Sequence, residues 1–393
     1  MISILYDLTR AERQTLISDC AAAAETTAIA LARFDERLNR AEPVLAEGVR
    51  QRSHAFEAQA LIGLAGSLCP LEDLVLHDAG MDVRSPTHEI VRAAAMLDER
   101  RRLARREPAE ILSPSALRHR LGLAEPQEPE PAGPQSRTSI PASWDRAAPD
   151  DDAEDDEEYL DVEVDDDRGN QAFAEMDALL ARTRQKLDAW NDLASEGGRQ
   201  SLTLRDPGYD GAGRFTRWLA VLEEGRGFPT TLAAALALDA WLVLEPSERA
   251  GELGFALAAT LLRQRGLAQA HLPTLGLGLR RRRFRWSPHL PRPARVSGLL
   301  GALAEAAAFA QADCDRLSLA RDLMLRKCQG RRGNSKLAEL VDLFVASPLV
   351  TVQLSAARLQ VTPQAVEAML RELGTSLPRE LTGRKRYRAW GIV

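Results

Sequence analysis

Residues 349–374 read Leu-Val-Thr-Val-Gln-Leu-Ser-Ala-Ala-Arg-Leu-Gln-Val-Thr-Pro-Gln-Ala-Val-Glu-Ala-Met-Leu-Arg-Glu-Leu-Gly, and their spacing predicts two short helices joined by a turn. Leu354, Ala357 and Leu359 give the first helix an apolar face, and Val361 fills the space before the second. Thr362 is placed to cap that second helix by accepting a backbone N–H bond, and Pro363 suits its first turn, where a missing donor costs nothing. Val366, Met369, Leu370 and Leu373 turn its inner face toward its partner, and Gly374 stops it. Its outer face is left to meet something else.

Charge indicates what that is. Arg379, Arg384, Lys385, Arg386 and Arg388 crowd against a single acid, Glu380, in a chain whose net charge is −6. Residues 379–390 alternate around Gly383 as two strands joined by a tight turn would. Together the two halves predict a winged helix–turn–helix: cations on the wing neutralise phosphates of double-stranded DNA while the preceding helix enters a major groove. Gln360, Thr362, Gln364, Ala365, Glu367 and Arg371 then face base edges or nearby phosphates, and Thr351, Gln353, Arg384, Lys385, Arg386 and Arg388 hold the backbone. Two other readings stay open. The same elements can form an ordinary terminal subdomain with solvated cations, or a module that docks on another protein.

The 393 residues leave room for two or three domains and a sizeable core. Hydrophobic residues make up 45% but aromatics only 5%, with Ala and Leu dominant, which predicts an all-α fold: a multi-helix bundle carrying one small β-hairpin at its end. Cys20, Cys69, Cys314 and Cys328 lie far apart, and no cysteine or histidine spacing matches a metal finger. The expectation is reduced thiols, no metal and no cofactor. The N-terminus carries Asp7, Arg10, Glu12 and Arg13, and the apolar runs near Leu232–Leu244 and Leu253–Leu262 are broken by Asp239 or short. That predicts a cytoplasmic chain without a membrane partner.

Four segments emerge. Residues 1–122 show helical apolar spacing at Ile17, Ala21, Ala24, Ala28, Leu31, Phe34 and Leu38, then through Phe56, Ala60, Leu64, Ile90, Ala94 and Leu97. Residues 123–169 turn to Pro, Glu, Gln and Ser and then to Asp150–Asp167, where 13 of 18 positions are acidic, the composition of a disordered linker. Without those 13 charges the remainder stands at +7. The acidic tract is either plain solvated chain or a tethered competitor for the basic wing. Residues 170–328 resume helical spacing, beginning with the stripe Phe173, Met176, Leu180, Leu187, Trp190 and Leu193. Within them Leu275–Arg295, with Gly276, Gly278, three prolines and an arginine cluster around Phe284 and Trp286, reads as a loop that either tracks nucleic acid or is pinned to the core. Residues 329–393 hold a Gly-Arg-Arg-Gly hinge, a helix capped by Ser335, and the helix–turn–helix.

Several stretches resemble an uncharacterised bacterial family, found mainly in rhizobia and on their plasmids, that joins a domain of unknown function to a C-terminal helix–turn–helix. They are Glu57–Ala60, Leu71–Gly80, Ala233–Trp241, Ala270–Pro273, Gly330–Leu337 and Leu381–Ile392. The layout is also distantly similar to the Fic proteins, in which a helical AMP-transferring domain precedes a winged helix with a Thr-Gly-Arg wing. That resemblance implies a His-Pro-Phe-x-Asp/Glu-Gly-Asn-Gly-Arg motif supplying a base, a magnesium ligand and a phosphate cradle. Residues 244–254 instead read Leu-Glu-Pro-Ser-Glu-Arg-Ala-Gly-Glu-Leu-Gly, without the His or the Gly-Asn-Gly-Arg. A Fic-like ancestry would therefore leave a silent scaffold rather than an enzyme. His77, Asp78, Asp73 and Asp82 sit close in sequence, yet follow Leu71, Leu74 and Leu76 and are read as the end of a helix. The expectation is a sequence-specific DNA-binding regulator of a plasmid or mobile element; a homodimer is compatible with it, though no heptad seam marks an interface.

Overall fold

The computed structural model describes residues 9–82, 85–123, 209–247, 250–328, 336–383 and 388–392. The acidic tract, the Phe173–Leu193 stripe, the Gly330–Gly333 hinge, Ser335, Glu248 and the wing residues Arg384, Lys385 and Arg386 lie outside them. Among the described residues the fold is all-α apart from three very short strands, as composition predicts.

Helix α1 (Arg10–Arg40) opens with a capping box in which Thr9 accepts the amide of Glu12 while the Glu12 carboxylate accepts that of Thr9 at 2.8 Å. Its buried stripe is Leu16, Cys20, Ala24, Thr27, Leu31, Phe34 and Leu38, each three or four residues after the last. Ala21, expected on that face, is exposed. By length and composition α1 is apolar enough to cross a membrane, but this stripe packs on other helices, chiefly α11 (Arg292–Leu325) and α8 (Thr230–Leu244). Helix α8 is buried on nearly every side because it is apolar all round. Helices α7 (Gly211–Glu224) and α9 (Leu253–Gln264) close over it, with Trp218 and Trp241 meeting edge to face at 5.0 Å.

Helix α2 (Pro43–Leu64) touches α3 (Leu71–Asp78), α4 (His88–Arg105), α10 (Leu275–Arg282), α11 and α12 (Leu337–Ala346). Two short helices, α5 (Pro108–Ile111) and α6 (Pro114–Arg120), follow α4. The described residues of 9–123 and 210–392 cluster as one compact unit. The segments 1–122, 170–328 and 329–393 thus divide the sequence, whereas the described helices of all three share one interior.

Helix α10 departs from the sequence expectation of a loop over Leu275–Arg295. Its glycines serve close packing instead of breaking the helix: a Cβ on Gly278 would lie 1.9 Å from the Ala302 carbonyl oxygen of α11, and one on Gly276 would lie 2.7 Å from Leu61. Helix α10 therefore wedges between α2 and α11 where any larger residue would be excluded. In the stretch after it the aromatics are pinned to the core, with the Phe284 ring covering Gly298 and the Trp286 indole donating to Asp239 at 2.7 Å, while Arg283 and Arg285 stay exposed.

Three buried polar clips tie loops and helix ends to this core, and each uses a residue from the family-like stretches. Glu57 accepts the amides of Gly276 and Leu277 at 2.9 Å, anchoring the start of α10, with the Arg100 guanidinium 3.8 Å away. Burial pushes the Glu57 carboxyl upward while Arg100 and the amides oppose it. Asp35 accepts the amides of Gln269 and Ala270 and meets His271 Nδ1 at 3.0 Å. Asp239, fully buried in α8, holds Arg295 through two hydrogen bonds of 2.8 and 2.9 Å. The Leu71–Gly80 stretch ends α3 as expected, with Asp78 paired to Arg101 and His77 to Asp82. Among the described residues no group of three or more such ligands is gathered for a metal.

Candidate nucleic-acid interface

The C-terminal elements run α12, β1 (Val350–Thr351), α13 (Val352–Leu359), α14 (Pro363–Leu373), β2 (Arg379–Glu380) and β3 (Ala389–Gly391). Thr351 caps α13 by accepting the Leu354 amide at 3.0 Å, and Ser355 Oγ donates to the Thr351 carbonyl at 2.8 Å. Gln360 ends α13 in the left-handed conformation at φ 55°, its amide returning to the Ala356 carbonyl. The turn is completed by Val361, which also donates to Ala356, and by Thr362, which accepts the Ala365 amide at 3.2 Å. Pro363 occupies the first turn and Gly374 stops α14 at φ 52°. One correction concerns α13: its inward face carries Ser355, Ala356 and Leu359, while Ala357 is exposed and Leu354 only half-buried.

Helix α14 buries Val366, Leu370 and Leu373, with Met369 packed beside them. The opposite face, Gln364, Glu367, Ala368 and Arg371, is exposed at helical spacing. Ala365 is half-buried. Strands β1, β3 and β2 form an antiparallel sheet in that order, with Val350 opposite Trp390 and Glu380 opposite Trp390 on its other side. This register centres the β2–β3 hairpin on position 385, so Gly383, at φ 60°, lies within a longer loop and is not its tip. Thr382 steadies that loop by accepting the Ala389 amide at 3.3 Å.

Gln353, Glu367, Arg371 and Arg388 come together around a concavity of 740 Å³ between α13, α14 and β3. Arg388 pairs with Glu380 and lies over the Trp390 ring at 4.9 Å. The hydrogen bond to Glu380 raises the Arg388 pKa, so the guanidinium stays charged and its direction is set. Gln364 and Gln360 are exposed outside that lining. Thr351 and Thr362 spend their hydroxyls on helix caps, and Thr351 is buried, which makes it a structural residue of the turn.

The residue that sequence reasoning missed is Arg52. Although only 1% exposed, it donates from α2 to the carbonyls of Phe344, Val345 and Ser347 at the end of α12, to Ile392 beyond β3, and to Gly48 in its own helix. Its signal was position, since Arg52 shares the inward stripe of Val49 and Phe56. Beside it, a Cβ on Gly48 would lie 2.1 Å from the Val345 carbonyl oxygen. Arg321 of α11 adds a second tie, reaching both Glu42 at 2.8 Å and Asp342 of α12 at 2.9 Å. The helix–turn–helix is mounted directly on the helical body.

Residues 337–393 match a family described as an HTH DNA binding domain, and residues 203–329 match a family described as a protein of unknown function, DUF1612. Across its length the chain is similar to the uncharacterized protein y4cF of Sinorhizobium fredii, with 35% identity over 401 residues that cover 99% of this chain and all of the relative. The chain belongs to this family. As a DUF1612–HTH protein it carries its DNA-binding module on the C-terminal 57 residues matched, and the buried clips at Asp239, His271 and Arg295 fall inside the DUF1612 region.

Proposed function

We propose that this DUF1612–HTH protein is a sequence-specific DNA-binding regulator that acts in the cytoplasm and reads double-stranded DNA with α14 while the β2–β3 hairpin serves as a wing. The observation that carries the reading is the division of α14 into an apolar face bound to the core and an exposed polar face of Gln364, Glu367 and Arg371, with Arg388 beside it. An exposed Gln at the start of such a helix, with an Arg on the same face in its last turn, suits hydrogen-bond readout of base edges, and cations on the hairpin suit phosphates. A role on a plasmid or mobile element belongs to the same reading. A homodimer fits it, because one helix–turn–helix supplies few base contacts.

The test selects bound genomic fragments and measures affinity by fluorescence anisotropy. Gln364→Ala should lower affinity for selected sites by about 1–3 kcal/mol while leaving random duplex little changed. Arg388→Gln should weaken both alike and flatten the salt dependence. Equal losses for selected and random DNA in the Gln364 variant would remove α14 from base readout. A catalytic reading on the Fic pattern has less support, because residues 244–254 lack the base that such a transfer requires. Incubation with labelled ATP and a cell extract should leave no labelled protein.

A further inference from the structure

The arginine cluster at the end of α10 is not absorbed by the helix–turn–helix. Arg280, Arg282, Arg283 and Arg285 are all exposed, and none has an ion pair or a side-chain hydrogen bond among the described residues. Half-buried Arg37, Arg92, Arg101 and Arg321 each face a carboxylate, and exposed arginines without one, such as Arg33 and Arg217, stand singly, whereas the end of α10 gathers four such arginines within six residues. Arg281, in the midst of the cluster, is held by Glu305 at 3.0 Å and lies over the Phe309 ring at 4.7 Å.

The segment is also anchored to the core, which separates it from a solvated tail. Glu57 anchors the start of α10, Arg283 closes its end at φ 55°, the Phe284 ring covers Gly298, and Trp286 is bonded to Asp239. The end of a helix favours cations, but four of them in six residues without acids to match repel one another until an external anion arrives. Planar guanidinium groups carried on an anchored backbone suit phosphate oxygens, which accept their paired N–H donors. The helix α11 gives the scale: Gly301, which sits under Arg282, and Met324, in the core of the helix–turn–helix, are about 34 Å apart along the helix axis at ~1.5 Å per residue. One turn of duplex spans about that length.

We infer that Arg280, Arg282, Arg283 and Arg285 form a second contact for the phosphate backbone of the duplex held by the helix–turn–helix. The inference rests on the DNA-binding reading above and extends the footprint beyond the bases read by α14. The duplex is then gripped at two places on one body, and the outer grip carries no sequence preference.

The experiment uses the full chain and measures binding across salt concentrations to a selected site centred on a duplex of about 12 or about 45 base pairs. Substituting Gln at all four positions should reduce the slope of log K against log salt by about 2 to 3.6 on the long duplex, at ~0.9 per lost phosphate contact, and leave the short one unchanged. Substituting Lys at all four should retain most of the slope, because charge is kept. An unchanged slope in the Gln variant, or an equal loss in the Lys variant, overturns the inference while leaving α14 as the reader. Binding of the wild type to phosphatidylserine vesicles that the Gln variant loses, with duplex binding intact, also overturns it and assigns the cluster to a lipid surface. If the wild-type chain retains no duplex at low salt, the regulator reading fails with it.

Discussion

Replacing Arg52 with Met removes a buried cation and keeps most of its volume, so the outcome isolates the hydrogen bonds that join α2 to the C-terminal module. Arg52 donates to five carbonyl oxygens at 2.6 to 3.0 Å, four of them on α12, the residue after it or the tail after β3. Three of those carbonyls belong to the end of a helix, where no intrahelical donor is left to replace the guanidinium. Each buried carbonyl left without a donor costs about 1–3 kcal/mol. Removing a desolvated charge recovers several kcal/mol of that cost, so a net loss of about 3–5 kcal/mol is expected. Burial pushes the Arg52 pKa down to about 10 against the nearby Asp313 carboxylate, which leaves the guanidinium charged and its bonds charge-assisted at neutral pH. At ~2–4 °C per kcal/mol for a domain of this class, the melting temperature should fall by about 10 °C. Urea unfolding gives the free energy, and amide exchange locates it: protection should drop first in α12 and β3. Arg52→Lys should fall between, because three donors from a point charge cannot reach five carbonyls. If Arg52→Met unfolds within about 1 kcal/mol of the wild type with unchanged protection in α12, the clamp is not what holds the module.

Other expectations follow from the same interior. His54 and His271 are buried, and burial, seconded for His54 by Arg100 and neighbouring arginines, holds both imidazoles below the usual histidine range. The unfolded chain then binds protons that the fold refuses, so stability should decline as pH falls below about 6.5, and His54→Leu should flatten that decline in melting curves taken from pH 7.5 to 5. Burial acts to raise the Asp35 carboxyl, but bonds from His271, Ala270 and Gln269 hold it lower, so a further loss should begin only near pH 4, visible as a second step in the same titration. Gly278→Ala should cost about 1–3 kcal/mol or more in urea unfolding, because its Cβ meets the Ala302 backbone, whereas Gly227→Ala, with open space around it, should be near neutral. Asp239→Asn should cost about 3–5 kcal/mol by leaving Arg295 charged and buried without its partner, and should loosen the Trp286 loop, seen as increased indole quenching.

The helix–turn–helix was legible because its signals are local. Thr362, Pro363 and Gly374 act within one turn of their own positions, and the structure gives each its expected cap or stop. The hairpin register was less so: strands two and three residues long carry too little alternation to fix their centre, and only pairing through Glu380 and Trp390 places it at 385. Helix α10 was hidden because glycine signals a break in isolation, and its use as a contact surface depends on Ala302 and Leu61, which lie far away in sequence. The division into segments followed composition, which reports the acidic tract faithfully but says nothing about whether the helices before and after it share a core. The place of Thr351 just before α13 suggests a phosphate contact in sequence, but its burial as a cap gives the hydroxyl other work.

The mounting of the helix–turn–helix constrains how DNA binding is to be understood. Gly48 brings α2 into backbone contact with α12, Arg52 bonds its end, Arg321 ties it to α11, and Arg379 of β2 reaches Glu72 of α3. Rotation of α14 relative to the body would break these contacts together, at a cost well above that of bending a free tether. Motion of the DUF1612 region would therefore reach α14 as motion of one packed unit. The same contacts make the excised C-terminal module a poor probe, since cutting before α12 strands its terminal carbonyls and exposes the α12 surface that α2 and α11 cover. Failure of that fragment to hold DNA would measure lost packing, so the full chain is the form in which α14 has to be tested.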